Sequence, residues 1–308
     1  MRIAMMGSGG IGGFIGARLV EAGADVSFIA RGAHLQAMRE KGLRVTSPLG
    51  DVVLPNVNAT DTAAGIGPVD VVVFAVKTND SEEAAASLGP LLMPGTRVIT
   101  LQNGIDSVET LARHVPWDQV VGGATYISAY IDKPGEIVHV GGMPHVLIGG
   151  YRDPLIRALE QMGARAKGIG LRSVEDIDSV LWEKFVTLSA FSGGTALMRS
   201  GIGPIFADRE GRAFIEQLRD EGISVATAAG HPMPVDFVDR VLERWTVLPP
   251  ETKSSMANDL DRGKPIELAS LSGRMHELGM GLGVATPGHT AVYRVLHLHA
   301  AGAGAGVA

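Results

Sequence analysis

The chain contains no cysteine, and aromatic residues make up 5% and charged residues 19% of its 308 positions. Without cysteine, disulfides, zinc–thiolate sites, iron–sulfur clusters and thiol nucleophiles are excluded, and a cytoplasmic location is expected. The net charge of −6 argues against general nucleic-acid binding, which needs a basic surface. The longest apolar run, 69–76, already contains Asp70, so no membrane span and no membrane partner are expected.

Hydrophobic residues make up 45% of the chain, and the length is sufficient for two domains with separate cores. Strands alternate with helices up to about residue 170, a pattern that predicts a doubly wound parallel sheet. Helical periodicity dominates afterwards. We therefore predict an α/β fold with a Rossmann-type domain over 1–170 and an all-helical domain over 171–308. An Ala/Gly tail from about 300 is expected to be loose.

Several elements are expected at particular places. The predicted strands are Arg2–Met6, 25–30, 70–76, 97–101, 120–130, 136–140 and 146–149, with an extended segment at 164–170. The predicted helices are 14–22, 34–41, 81–92, 108–114, 154–162, 174–191, 210–229, 235–248 and 268–278.

A glycine-rich motif follows the first predicted strand and opens a helix. It fits G-x-G-x-x-G and consists of Gly7, Ser8, Gly9, Gly10, Ile11 and Gly12. In a dinucleotide site the first glycine permits a tight turn, the second lets the backbone approach the pyrophosphate, and the third lets helix and strand pack closely. The helix N-terminus then offers N–H groups to the phosphates. The alternative is a plain glycine turn; its place between a strand and a helix favours dinucleotide binding.

The residue at the end of the second strand indicates which dinucleotide is bound. NAD-binding forms carry an acidic residue there for the ribose 2′-hydroxyl, whereas this chain has Arg31. An arginine suits a 2′-phosphate and cannot accept a hydrogen bond from a hydroxyl. The pattern favours NADP(H), and the alternative is a solvated arginine.

A lysine interrupts the apolar stripe of the helix predicted at 174–191. Lys184 lies among Ile177, Leu181, Leu188 and Phe191. One interpretation is a snorkelling side chain; the other is a general acid at a cleft wall, whose pKa desolvation lowers. Spacing alone leaves both open.

Other polar residues of the second half have less specific spacing. Glu221 lies in a similar stripe and is either a partner for Lys184 across a helix contact or an ordinary glutamate. Asp220 beside it raises the question of Mg²⁺, but nothing else supports a metal, and no metal site is expected. The segment from Ser254 and Ser255 to Glu267 brings together groups that either hold a substrate carboxylate or cap a helix.

Taken together, these residues resemble the ketopantoate reductase (2-dehydropantoate 2-reductase) family over essentially the whole chain apart from the tail. The resemblance rests on the glycine motif with Arg31, on Val76-Lys77-Thr78, Gln102-Asn103-Gly104 and Trp182-Glu183-Lys184, and on Ser254-Ser255-Met256 followed by Asp259 and Glu267.

The resemblance implies an NADPH-dependent reductase whose Rossmann and helical domains form a cleft in which the nicotinamide meets a 2-keto acid. It places Arg31, Lys77 and Ala129 along the cofactor and Asn103 near nicotinamide and substrate. It also makes Lys184 the general acid and assigns substrate contacts to Ser255 and Glu267.

The sequence departs from the family on the substrate side. The family's asparagines four and eight residues after the lysine are here Leu188 and Ser192, which are expected to face the substrate. Losing an amide weakens discrimination for a polar substrate group. The favoured function is reduction of 2-dehydropantoate to pantoate, in pantothenate and coenzyme A biosynthesis, with Lys184 as acid.

Several alternatives stay open. A paralogue could reduce a bulkier or more apolar keto acid, a 3-hydroxyacid or opine-type dehydrogenase would share the domain plan, and a non-catalytic NADP-binding sensor would need only the nucleotide site. The expected partners are a small keto acid and, through apolar C-terminal helices such as 292–298, a second subunit of a homodimer.

Overall fold

A computed structural model describes residues 1–303. The strands are β1 (Arg2–Met6), β2 (Asp25–Ile29), β3 (Leu43–Thr46), β4 (Val52–Leu54), β5 (Asn58–Thr60), β6 (Val71–Phe74), β7 (Arg97–Thr100), β8 (Val120–Val121), β9 (Gly123–Lys133), β10 (Glu136–Ile148) and β11 (Gly170–Ser173). The helices are α1 (Gly10–Glu21), α2 (Gly32–Lys41), α3 (Ser81–Ala86), α4 (Ser107–Ala112), α5 (Pro154–Gly163), α6 (Ile177–Leu197), α7 (Ile202–Ala207), α8 (Arg209–Ala228), α9 (Phe237–Thr246), α10 (Ser255–Asp261), α11 (Arg274–Leu282) and α12 (Pro287–Leu296).

The main sheet confirms the predicted Rossmann-type fold. Its six parallel strands lie in the order β5-β2-β1-β6-β7-β8. All four residues of β6 are buried, as expected of a strand covered on both faces. The strand order reverses between β1 and β6, and in such sheets ligands bind beyond the carboxyl ends of the strands at this switch point. The loops after β1 and β6 therefore mark the nucleotide end of the sheet.

The later strands form a second sheet, which the sequence did not predict. Strands β11, β10, β3 and β4 are neighbours in it, and β9 runs antiparallel to β10. The strands expected at 136–140 and 146–149 are one strand, β10, because it continues through an irregularity between Val140 and His145. The segment 164–170, expected to be extended, consists mostly of turns, and the strand begins only at Gly170.

The predicted helices differ from the observed ones at their ends, and three of them differ in ways that have a physical reason. The helix expected at 81–92 ends at Ala86, and a 3₁₀ turn over Gly89–Leu91 follows because Pro90 lacks an N–H. The helix expected to end at 191 continues to Leu197 as α6, and Gly193 and Gly194 do not end it. These glycines allow close packing instead, because Gly193 lies against Leu218 and Gly194 against Ile215. The segment expected as one helix at 268–278 is a π-helical turn over Ala269–Gly273 followed by α11.

The chain divides by its contacts into two units. The first contains 1–102 and 106–180, and the second contains 103–105 and 181 onward. The boundary expected near Leu171 falls within β11, which pairs with β10, so the change of unit comes after Val180. The core of the second unit is formed by buried side chains such as Phe185, Leu218 and Met275.

The described part of the tail is held in place. The N–H of Ile266 donates to the carbonyl of Ala300, and the N–H of Ala303 donates to that of Gly263. The expectation of a loose tail is therefore wrong for 300–303, because backbone hydrogen bonds anchor these residues and Ala300 packs, partly buried, against the helical core. The rest of the expected tail, 304–308, lies outside the described residues.

Within 1–303, no helix combines the length and apolar character needed to cross a bilayer.

Candidate functional site

The glycine loop after β1 requires glycine at two positions, one because of its backbone conformation and one because of its close contacts. Gly7 has a φ of +94°, and a Cβ there would meet the backbone nitrogen of Val76 at 2.7 Å. A Cβ on Gly12 would clash with the carbonyl oxygen of Gly7. Both contacts keep α1 close to the ends of β1 and β6, so larger residues would force the loop apart.

Gly9, by contrast, faces open space. No atom of the described chain lies within 4 Å of the position its Cβ would take. It is the N-cap of α1, and no side chain caps that helix end. The first N–H groups of a helix lack partners within the helix and attract anions. The open face and this helix end fit the pyrophosphate of a dinucleotide.

Two further predicted cofactor residues border the loop. A Cβ on Gly10 would clash with the backbone carbonyl of Ala129 on β9, so this strand passes directly over the start of α1. Lys77 is exposed and follows β6, the neighbour of β1 at the switch point. Ser8 and Ile11 complete the loop, with Ser8 buried and Ile11 partly buried.

Arg31 is exposed at the end of β2 and forms an ion pair. Its Nη2 lies 2.8 Å from Oε1 of Glu83, and the side chains are 64% and 72% exposed. Exposed pairs of this kind contribute less than about 1 kcal/mol. Little free energy would therefore be lost if another anion replaced Glu83 on Arg31. Sequence reasoning missed Glu83, and no spacing signal could have linked it to Arg31.

Lys184 lies on α6 between two residues that hold this helix in place. The ring of Trp182 stacks on His231 with centroids 4.8 Å apart. Glu183 Oε2 lies 3.0 Å from Nη2 of Arg240 on α9. Lys184 is 9% exposed. Burial lowers its pKa to about 8, although the nearby carboxylate of Glu267 acts in the opposite direction.

Glu267 interacts with both Lys184, through its charge, and Asn103, through a hydrogen bond. The Asn103 Nδ2 group donates to Glu267 Oε2 at 2.9 Å, across 164 positions of sequence. Gly104 allows this approach: its φ is +86°, and a Cβ there would meet the carbonyl oxygen of Ser270 at 3.0 Å. The π-helical turn begins two residues after Glu267, and such turns are common at functional sites. The second unit thus brings together Asn103, Lys184 and Glu267.

Ser255 is exposed as the first residue of α10, whereas Ser254 is buried and caps that helix through the N–H of Ala257. The Ser254 hydroxyl also lies 3.0 Å from Oγ1 of Thr195 on α6. Sequence reasoning missed Thr195. Thr195 lies eleven residues after Lys184 and therefore on the same face of α6, and this spacing could have identified it in the sequence.

The two departures from the family pattern differ in burial. Leu188 is partly buried and packs against the helical core. Ser192 is fully buried, and its hydroxyl has no hydrogen-bond partner within residues 1–303. Leu188 is therefore the more accessible of the two.

Glu221 is not the partner of Lys184 that the sequence suggested as one of two roles. Its carboxylate accepts hydrogen bonds from Gln217 at 2.7 Å, from the Gly288 N–H at 2.8 Å and from the His289 N–H at 3.0 Å. It caps α12, because the first N–H groups of that helix need acceptors. Glu267 is the carboxylate that acts on Lys184. No group of three or more histidine or acidic side chains able to hold a metal occurs in the described range.

Comparison with known families gives two matches. The model described as "Ketopantoate reductase PanE/ApbA" matches residues 3–153. The model described as "Ketopantoate reductase PanE/ApbA C terminal" matches residues 176–300.

Relatives that match over nearly their whole length are also reductases or oxidoreductases by name. A 2-dehydropantoate 2-reductase of Mesorhizobium japonicum is 31% identical over 93% of this chain and 94% of its own length. An uncharacterized oxidoreductase of Bacillus subtilis, YkpB, is 30% identical over 98% and 99%. The crystal structure of a 2-dehydropantoate 2-reductase from Geobacter metallireducens superposes with a TM-score of 0.89 at 31% identity, covering 97% of this chain and 99% of that one.

Two more distant structures share the fold. One is D-mandelate dehydrogenase with NADH and anilino(oxo)acetate, at TM-score 0.86 and 19% identity over 97% of this chain and 98% of that one. The other is a dimeric ketopantoate reductase from Staphylococcus aureus, at TM-score 0.79 and 22% identity over 97% and 99%.

Proposed function

This chain belongs to the ketopantoate reductase family of oxidoreductases, which use a nicotinamide cofactor, and from that premise we propose that it reduces a 2-keto acid with NADPH. The favoured substrate is 2-dehydropantoate, reduced to pantoate. The observation that carries the proposal is the buried ammonium of Lys184 beside Glu267 and Asn103. A buried lysine whose pKa is lowered to about 8 suits proton transfer.

The proposed chemistry divides between the cofactor and the residues of the second unit. The reduced nicotinamide, when bound, supplies a hydride to the keto carbon. Negative charge develops on the keto oxygen, and the ammonium of Lys184 stabilises it until the proton is transferred. Lys184 Nζ then donates that proton to the oxygen. Asn103 and Glu267 position the substrate, and their mutual hydrogen bond fixes the orientation of both groups. The hydroxyl of Ser255, which is exposed, is the proposed donor to the substrate carboxylate.

We propose NADP(H) rather than NAD(H) as the cofactor. The support is Arg31 at the end of β2, whose exposed guanidinium is paired only through the exposed carboxylate of Glu83 in the interactions described. A 2′-phosphate carries more charge than a carboxylate and binds a guanidinium through two oxygens. Lys77 and the carbonyl of Ala129 border the same loop and complete the proposed site.

The experiment is loss of NADPH absorbance with 2-dehydropantoate, compared with a panel of bulkier 2-keto acids, with Lys184→Ala as control. Lysine-dependent turnover of 2-dehydropantoate is the expected result. Turnover that survives in Lys184→Ala would remove the proposed acid.

A second candidate substrate is a 2-keto acid with an apolar side chain, and Leu188 supports it. The side chain at this position offers hydrocarbon where the family pattern has an amide, and such a wall discriminates poorly in favour of a polar substrate group. Preference for 4-methyl-2-oxopentanoate or benzoylformate over 2-dehydropantoate would establish this candidate. Leu188→Asn should then shift the preference back, with Leu197→Asn on the same helix as a matched control.

The remaining alternatives are outcomes of the same assay. A 3-hydroxyacid or opine-type dehydrogenase would oxidise or condense other substrates and leave the whole 2-keto acid panel untouched. A sensor would bind NADPH in a titration and turn over nothing.

We also propose a homodimer. The support is the dimeric state stated for the Staphylococcus aureus structure, together with the exposed side chains of Val295 and Leu298, which are 57% and 84% exposed. Sedimentation equilibrium of the wild type and of Leu298→Asp tests this, and dimeric wild type with a monomeric variant is expected.

A further inference from the structure

His34 is the one ring in the described chain that joins the glycine loop to the β9–β10 hairpin. Its Nε2 lies 3.0 Å from the carbonyl oxygen of Ser8, inside the glycine motif. Its Nδ1 accepts a hydrogen bond from the backbone N–H of Gly135, in the hairpin turn, at 3.0 Å. This histidine lies three residues after Arg31 in the first turn of α2, outside the glycine motif.

These two contacts select one form of the ring. Because Nδ1 accepts from Gly135, the proton of the neutral imidazole must be on Nε2, where it is donated to Ser8. A protonated ring would turn an N–H toward another N–H and lose the Gly135 bond. Burial lowers the pKa of His34, more than the hydrogen bond to Ser8 raises it, which favours the neutral ring.

The hairpin end of this link is well anchored. Gly135 has a φ of +79°, and its carbonyl accepts from the N–H of Arg44 on β3 at 2.9 Å. A Cβ at Gly135 would lie 3.2 Å from that of Ala37, so the turn also packs on α2. The ring therefore connects the backbone of the glycine motif to a turn that bonds to β3 and packs on α2.

The loop end of the link determines the direction of an amide. The Ser8 carbonyl and the Gly9 N–H belong to one peptide group, which is planar and trans, so they point in opposite directions. Holding the carbonyl toward His34 turns the Gly9 N–H the other way. The position a Gly9 Cβ would take faces open space, where the loop fits a pyrophosphate. If this peptide group rotated, it would present a carbonyl instead of an N–H to an anion.

We propose that His34 is a positioning residue for the dinucleotide: as the Nε2–H tautomer it ties the Ser8 carbonyl to the hairpin turn at Gly135 and thereby keeps the Gly9 N–H directed at the pyrophosphate. The inference rests on the dinucleotide site proposed above. It adds a residue outside the glycine motif that acts on the part of the cofactor shared by NADP(H) and NAD(H).

The test is nucleotide binding measured by titration of bound NADPH and NADH fluorescence, without substrate. His34→Leu should weaken both nucleotides about tenfold, because both hydrogen bonds of the ring are lost and the Ser8 carbonyl is left without its donor. His34→Gln should recover most of the affinity, since an amide also carries a donor and an acceptor. Arg31→Ala should weaken NADPH much more than NADH, which separates the 2′-phosphate from the pyrophosphate.

The controls distinguish positioning from general damage. His276→Leu removes another partly buried histidine, which bonds Thr290 and has no contact with the loop among the interactions described. Its nucleotide affinity should equal that of the wild type. At saturating NADPH, His34→Leu should keep the wild-type kcat while the KM for NADPH rises, a split that a loss of folded protein would not produce.

Three results would overturn the inference: unchanged affinity in His34→Leu, an equal loss in His276→Leu, or no recovery in His34→Gln. The nitrogen chemical shifts of His34 in the wild type give an independent answer if His34→Leu does not fold, since an Nδ1-protonated ring contradicts the proposal. Wild-type protein that binds neither nucleotide would instead refute the proposed function.

Discussion

The glycine loop after β1 presents backbone groups, whereas the cluster around Lys184 presents side chains. The loop occupies six consecutive residues, and its shape follows from a positive φ at Gly7 and close contacts at Gly12. The Lys184 cluster takes Asn103, Lys184 and Glu267 from three distant segments. A backbone site needs the right local conformation, but a side-chain site needs the tertiary fold to deliver each group.

The two regions should therefore respond differently to substitution. In the loop, a change acts by shape, since a single methyl group obstructs the phosphates or separates helix from strand. In the Lys184 cluster, a change acts by charge, because a buried ammonium depends on its neighbours for its protonation state. The variants that follow separate shape from charge, beginning with the largest expected effect.

Lys184→Ala should lower kcat for keto acid reduction by about 10³-fold, within the range that general acids contribute. The affinity for NADPH should stay at the wild-type value, because the loop belongs to the first unit and Lys184 to the second. Stopped-flow turnover and nucleotide titration check the two halves of this prediction. Equal losses in both would mean that the two regions are not separable.

Gly9→Ala should weaken NADPH by about 1–3 kcal/mol of binding free energy while leaving the melting temperature unchanged. The added methyl meets no atom of the described chain, so the free protein tolerates it. Gly12→Ala is the contrasting variant, because its methyl would clash with the Gly7 carbonyl and should lower the melting temperature. Calorimetry and titration of both variants provide the measurement; a destabilised Gly9→Ala would contradict the open face.

The pH profile of reduction should fall as pH rises through about 8, the pKa of Lys184, because the acid must be protonated to donate. Glu267 raises that pKa, so Glu267→Gln should move the fall to lower pH. At pH 8 this is a loss of about fivefold if the shift is one unit, because the protonated fraction falls from about one half to about one eleventh.

Asn103→Ala is the control for this shift, since it removes the hydrogen bond to Glu267 and leaves the carboxylate charge. Its kcat should fall at the same pH as that of the wild type. A shift in Asn103→Ala as large as that in Glu267→Gln would show that geometry rather than charge determines the pKa.

Glu221→Gln should have the smallest effect, a loss of about 1 kcal/mol in the free energy of unfolding. Its carboxylate caps α12 through the N–H groups of Gly288 and His289, and the amide retains only one acceptor oxygen. The pH profile of kcat should not move, because Glu221 belongs to neither compared region. Denaturant unfolding and the kcat profile test both statements, and a moved profile would restore the link to Lys184.

Local patterns predicted the elements that depend on neighbouring residues. The first strand, the presence of a helix beside the glycine motif and the helical second half follow from apolar periodicity and glycine spacing, although that helix begins at Gly10, inside the motif, rather than at residue 14. The second sheet was missed because β10 is interrupted in sequence by Gly141-Gly142, although its pairing with β9 continues beyond them. Likewise, Gly193 and Gly194 interrupt the pattern of α6 without ending the helix, since packing against Leu218 and Ile215 compensates.

The sequence by itself determined the parallel sheet, the glycine loop, the arginine at the end of β2 and the position of Lys184 in an apolar stripe, because these depend on spacing along one segment. Only the tertiary structure decided which carboxylate acts on Lys184. The sequence suggested Glu221 as a partner of Lys184 and Glu267 only as a substrate contact, but Glu221 caps α12 and Glu267 lies with Asn103. Long-range pairing of charges depends on the packing of segments, for which residue spacing carries no signal.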